Sequence, residues 1–213
     1  MKRIYKFRGS ILLMVLFLIG CAYFGLTLPS DVRVPTHWNI KGEIDGYSSV
    51  RTALYSSVIG MVFMFLLFYL MPYYSPKYKQ QAVRFEKILP TLCFGLLLFF
   101  ALIFLHGFAL AKWESNLSVN FILVLIGMLF VFLGNILPKA PRNFFVGIRT
   151  TWTLSDDDIW QKTHRIGGYA FVLSGVVLIL QGILLTQLVT ATIISSILAF
   201  AILLYPVDRK SVV

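Results

Sequence analysis

Acidic side chains are scarce in this sequence: nine Asp and Glu among 213 residues, against nineteen Lys and Arg, for a formal charge of +10. Charge of either sign is thin as well, at 13% of residues, while 58% are hydrophobic and the mean hydropathy is +0.82. Those proportions exclude a water-soluble surface and mark an integral membrane protein. Only two cysteines are present, Cys21 and Cys93, both inside apolar runs, so neither a disulfide framework nor a zinc-finger spacing is available. There is no His-Glu-x-x-His pair and no Gly-x-x-x-x-Gly-Lys loop, which removes the zinc-protease and phosphate-loop chemistries. No acidic residue lies within an apolar run, which argues against a proton-coupled pump.

What is present is a set of long apolar stretches. A helix needs about 20 such residues to cross the hydrocarbon core. Six segments approach that length: Ser10 to Leu28, Ala53 to Met71, Leu89 to Ala111, Leu117 to Leu137, Gly168 to Thr186 and Leu188 to Tyr205. They are continuous rather than alternating, which excludes an outer-membrane barrel. The expected fold is therefore an all-α integral membrane protein with six transmembrane helices. Its expected division is 1–71, an N-terminal helix pair with an external loop, and 72–213, a four-helix region. Leu18-Ile19-Gly20-Cys21 has the form of a lipoprotein cleavage box, but the chain continues as Ala-Tyr-Phe-Gly-Leu, so Cys21 reads as a lipid-depth residue.

The basic residues sort by loop. Lys2, Arg3, Lys6, Arg8, Lys77, Lys79, Arg84, Lys87, Lys139, Arg142, Arg149, Lys162, Arg165, Arg209 and Lys210 all fall on one predicted side, and Arg33, Lys41, Arg51 and Lys112 on the other. Lys and Arg favour the cytoplasmic side, so both termini are expected in the cytoplasm of a bacterial cell membrane. The excess charge is then an orientation signal, and no direct nucleic-acid contact is expected.

Two loops hold most of the polar information. The external one, Pro29 to Thr52, alternates around Val32 and Val34 and has turn signals at Asn39 to Gly42 and at Asp45-Gly46, so a small surface hairpin is expected. Trp38 and Tyr47 suit headgroup anchoring or the recognition of an extracellular peptide. A metal on His37, Glu43 and Asp45 is the less economical reading, and no metal or cofactor is expected. The internal loop, Pro138 to Gly167, contains Ser155 three residues before Asp158, a capping-box spacing that predicts a helix starting at Asp156. Ile159, Trp160, Thr163 and Ile166 share one helical face, so this segment is expected to lie amphipathically on the inner surface before Gly167-Gly168 turns into the next span. Gly168, Gly175 and Gly182 recur every seven residues, a face suited to close helix packing. His106, alone within the third span, reads as a structural group ahead of a proton relay.

The Pro35-Thr36-His37-Trp38-Asn39 stretch with Gly42, Asp45, Gly46 and Tyr47 is followed by Gly134-Asn135-Ile136-Leu137-Pro138, Gly147-Ile148-Arg149-Thr150, and Thr153 through Trp160, Thr163, His164, Arg165 and Gly168. In that order they resemble the SdpI family of multi-span bacterial immunity proteins. Thr151 departs from the pattern, since members often carry Pro there. The resemblance implies protection against a secreted toxic peptide and membrane sequestration of a cytoplasmic transcriptional repressor, with no enzymatic step. On that basis Pro35, His37, Trp38, Asn39, Gly42, Asp45 and Tyr47 are the toxin-binding candidates. Gly147, Arg149, Thr150, Trp152, Trp160, Thr163, His164 and Arg165 form a partner-binding or structural motif, with membrane lipid as a further contact. A membrane enzyme, or a transporter of small molecules or peptides, is the alternative.

Overall fold

The computed structural model describes residues 3–39, 43–75, 82–113, 119–184 and 197. A short 3-10 helix, Arg3–Phe7, leads into α1, Arg8–Thr27. Strands β1, Arg33–Trp38, and β2, Ile44–Ser49, form an antiparallel hairpin, followed by α2, Val50–Tyr69, and a single turn, α3, Met71–Tyr74. Helix α4 spans Ala82–Trp113 and α5 spans Val119–Ile136. An irregular loop then leads to the short α6, Thr151–Ser155, and to α7, Asp157–Leu184. Among the described residues, five helices are long and apolar enough to cross a membrane. The expected sixth span, Leu188 to Tyr205, lies outside the described residues apart from Ile197.

Helices α1, α2 and α4 pack as a bundle. Phe7, Phe17, Met61, Phe68, Phe85, Leu89 and Leu97 fill one buried cluster, and Phe24, Leu28, Val34, Val50 and Phe108 form a second beneath the hairpin. At the end opposite the hairpin, Arg3 donates from Nε to the Tyr69 carbonyl at 3.2 Å and pairs with Glu86 at 3.7 Å, tying the starts of α1 and α4 to the end of α2. Leu12, Leu16, Ile19, Leu173 and Leu180 stay exposed, as expected of helices whose outer faces meet lipid.

Helices α5 and α7 form the most extensive helix pair. A β-carbon on Gly134 would lie 2.6 Å from the Gly168 carbonyl oxygen, and one on Gly127 would lie 2.7 Å from that of Gly175. Gly182 approaches the Asn120 carbonyl in the same way, at 2.9 Å. Residues 120, 127 and 134 thus meet 182, 175 and 168 in one antiparallel register with a seven-residue repeat. Lipid tails are as apolar as leucine, so helix association in a bilayer depends on close contact, which these glycines permit. The pair joins the bundle where the Phe132 ring lies over Gly95 of α4.

Three local expectations are corrected. The helix expected on the inner surface is instead continuous with the membrane-crossing part of α7, and Gly167-Gly168 is buried in it rather than turning the chain. An unwound doublet there would leave backbone groups unsatisfied, whereas a helical Gly168 packs on Gly134. The cap of α7 is Asp156, whose Oδ1 accepts from the N–H groups of Asp158 at 2.7 Å and Ile159 at 2.9 Å, while Ser155 donates to the Trp152 carbonyl inside α6. Asp45-Gly46 lies within β2; Gly46 pairs with His37, and a β-carbon there would sit 2.7 Å from that of His37.

Gly175→Ala is expected to destabilise the protein by about 1–3 kcal/mol, because its methyl would meet backbone that cannot yield cheaply. Gly60→Ala, with nothing within 4 Å, is expected to be neutral or mildly stabilising. Reversible unfolding in mixed micelles measures both.

Candidate functional site

The two polar motifs sit at opposite ends of the helices. In the hairpin, Val34 and Pro35 are buried and the Pro35 carbonyl rests on Gly107 of α4, where a β-carbon would lie 2.6 Å from its oxygen. Trp38 stacks on His106 with centroids 6.1 Å apart, and His106 in turn meets Phe121 of α5 at 4.5 Å. His106 is only 6% exposed and its Nε2 has no hydrogen-bond partner among the described residues, so ring contacts hold it.

Above that stack the hairpin is open. His37 Nδ1 lies 2.5 Å from Asp45 Oδ1, with side-chain exposures of 70% and 44%. Tyr47 is also exposed. Asn39 is occupied in closing the turn: its N–H donates to the Glu43 carbonyl at 2.9 Å, its Nδ2 to Glu43 Oε2 at 2.9 Å, and its Oδ1 accepts from the Glu43 N–H at 3.0 Å. Gly42 lies outside the described residues. The structure therefore brings His37, Asp45 and Tyr47 to the surface, uses Pro35 and Trp38 to dock the hairpin, and spends Asn39 on its turn. Among the described residues, no three His, Cys, Asp or Glu side chains converge as metal ligands.

At the other end, the Gly-Ile-Arg-Thr loop is locked onto the start of α7. His164 is fully buried; its Nδ1 donates to the Trp160 carbonyl at 2.7 Å and its Nε2 accepts from the Ile148 N–H at 3.0 Å. Those two fixed partners select the neutral imidazole with its proton on Nδ1. Trp160 stacks on that ring at 3.9 Å and donates from Nε1 to the Ala140 carbonyl at 2.8 Å. Gly147 is required twice over: its φ is +123°, and a β-carbon would fall 2.2 Å from His164 Nε2.

Thr150 and Thr153 form a reciprocal capping box at the start of α6. Thr150 Oγ1 accepts from the Thr153 N–H at 3.2 Å, and Thr153 Oγ1 accepts from the Thr150 N–H at 2.9 Å. Thr163 is buried as well. Arg149, Trp152 and Arg165 point outward, with Arg149 donating to the Phe144 carbonyl. The loop also depends on a residue outside the expected set. Buried Asn143 donates to the carbonyls of Pro141 and Val146 and accepts from the N–H groups of Phe145 and Val146, all at 2.7–2.9 Å. The sequence signal for it was an Asn beside an apolar pair, common to many turns. Arg142 adds a contact to the Leu154 carbonyl at 3.0 Å and an ion pair with Asp157 at 2.7 Å.

A model of the SdpI/YfhL protein family matches residues 139–207, a stretch that includes this loop and α7 but not the hairpin. The immunity protein SdpI of Bacillus subtilis (strain 168) is 30% identical over 53 residues, covering 25% of this chain and 26% of that protein. The alignment thus spans about a quarter of the relative's length. No solved structure matches the chain.

Thr151 is the first residue of α6 and Thr150 before it is extended, the setting in which proline is best tolerated. Thr151→Pro is accordingly expected to be neutral or stabilising by up to about 1 kcal/mol, whereas Gly147→Ala is expected to open the loop. Limited proteolysis of the loop measures both. The N–H groups of Ile159 and Asp158 hold the Asp156 carboxyl below its usual range. Its capping contribution is thus present above the ordinary carboxylate range and lost as pH falls through the depressed value. Loop protection should fall on acidification, and Asp156→Asn, which keeps an acceptor, should flatten that dependence.

Proposed function

We propose, from the match of residues 139–207 to the SdpI/YfhL family, that this chain is a multi-pass membrane immunity protein which protects its cell against a secreted toxic peptide by binding it. The end bearing Arg3, Lys6, Arg8, Arg84, Lys87, Lys139, Arg142, Arg149, Lys162 and Arg165 faces the cytoplasm, and the hairpin faces outward. The observation that carries the reading is the construction of the hairpin. It is docked on α4 through Pro35 and Trp38, yet presents His37, Asp45 and Tyr47 to the outside.

A docked platform loses little conformational freedom on binding, so its exposed groups can engage a peptide at low entropic cost. No covalent chemistry is needed if the bound peptide is inactive. A second reading rests on the internal motif. Its buried members serve the loop, which leaves Arg149, Trp152 and Arg165 as the surface for a cytoplasmic repressor. Sequestration on demand would require the toxin to bind two arrangements of the helices unequally.

Expression in a sensitive cell is expected to raise survival against the cognate peptide, and a His37→Ala/Asp45→Ala double variant, which leaves the Trp38–His106 stack intact, to lower it at equal membrane abundance. Undiminished protection by that variant and by Trp38→Ala would remove the hairpin from recognition. Mass spectrometry separates binding from degradation: the peptide recovered from protected cells is expected intact. A tagged repressor should move to the membrane only with toxin present, and unchanged localisation would reject the second reading.

A further inference from the structure

Two cavities that the proposed function does not use lie along α4. The first, about 670 Å³, opens where α1 and α4 begin and is lined by Tyr5, Lys6, Arg8, Glu86, Lys87 and Pro90. Its one carboxylate is occupied: Lys6 pairs with Glu86, and Arg3 Nη1 lies 3.7 Å from it. Arg8 and Lys87 are exposed and form no ion pair among the described residues.

The second cavity, about 230 Å³, is an apolar groove between α4 and α5 whose lining includes Phe94, Leu98, Leu102, Met128 and Phe132. Phe94 links the two. It lies one helical turn, about 6 Å, beyond Pro90 on the same face of α4. A β-carbon on Gly9, the neighbour of Arg8, would lie 3.5 Å from its ring.

We propose that the two cavities together hold one phospholipid with an anionic phosphate headgroup, the phosphate against Arg8 and Lys87 and an acyl chain that enters the groove past Phe94 and Phe132 and ends by Leu102 and Leu125. A free phosphate would use the first cavity alone, and a neutral apolar molecule the second alone. A lipid of this class has both parts in the required order. Basic pockets between membrane helices suit such headgroups, and the exposed ring of Tyr5 in the same lining is of the type that anchors at the headgroup layer.

Native mass spectrometry of the full chain in detergent, titrated with phosphatidylglycerol and with phosphatidylcholine, tests the site. Phosphatidylglycerol is expected to be retained preferentially, and Arg8→Gln/Lys87→Gln to weaken its binding by about thirtyfold. Arg33→Gln, at the hairpin end, should leave binding unchanged. Leu98→Trp, which fills the groove, should weaken it without touching the cations. Thermal unfolding at the parent temperature shows that each variant is folded. Equal retention of the two lipids, or unchanged affinity in the folded double variant, overturns the proposal. Displacement of the lipid by millimolar inorganic phosphate would identify a free-anion site and overturn it as well.

Discussion

Backbone contact between α5 and α7 is the constraint on which the internal half of the molecule depends. Two helices in lipid gain nothing from hiding apolar side chains from each other, so they hold a fixed register only where their surfaces interlock. Gly134 on Gly168 and Gly127 on Gly175 bring carbonyl oxygens to distances that any side chain would block. Because the repeat is seven residues on both helices, the contact persists along the pair instead of drifting away, as in a left-handed coiled coil. Its consequence is positional. With Gly168 set against Gly134, Pro138 lies over Gly168, and the chain leaving α5 starts its return beside the first turns of α7.

That placement lets a loop of little regular structure become a fixed object. Residues 140–150 form no helix or strand, yet several of their polar groups meet defined partners on α6, α7 or within the loop. Trp160 takes the Ala140 carbonyl, Asn143 closes the turn through Val146, and His164 takes the Ile148 N–H. Each bond contributes only about 1 kcal/mol net, but a buried donor left unpaired would cost more, so the set is held together by what any one loss would expose. The motif's chemistry is then largely structural. Trp160, His164, Thr153 and Gly147 build the loop, and what the loop offers to a partner is its exposed remainder.

Much of this was legible beforehand, for reasons that differ by residue. Continuous apolar runs locate the five described helices to within a few residues except at the starts of α4 and α7, which extend beyond the apolar run, because no other element satisfies backbone groups in a bilayer. The hairpin followed from alternation and turn residues. A helix start at Asp156 lies one residue from the observed one, but its cap is not legible, since Ser155 and three successive aspartates are all competent caps. Competition was decided by the Thr150–Thr153 box upstream, which forms α6 and directs Ser155 to the Trp152 carbonyl. Gly167-Gly168 is ambiguous for a related reason: a glycine doublet signals a turn in water and close packing in lipid. At the hairpin, residue type pointed to Trp38 and His37 equally. The stack with His106 depends on a contact some seventy residues away in sequence, and only the fold separates the docked ring from the open one.

The same contacts bear on how the two ends could communicate. Trp38 touches His106 of α4, His106 touches Phe121 of α5, and α5 is in glycine register with α7, whose His164 holds the internal loop. Within that series the α5–α7 contact is the stiffest link, because backbone against backbone has no rotamer to adjust. The α4–α5 contact is softer: it relies on the Phe132 ring lying over Gly95 and on the His106–Phe121 ring pair. A ligand that shifted Trp38 would therefore act by moving the α5–α7 pair as one body against the α1, α2, α4 bundle, rather than by bending a single helix. Contact alone does not make such a shift occur. It requires a second packing of the two bodies close in free energy to the first, and a ligand that discriminates between them. The α4–α5 seam, where side-chain rings rather than backbones meet, is the place in this fold where a second packing costs least.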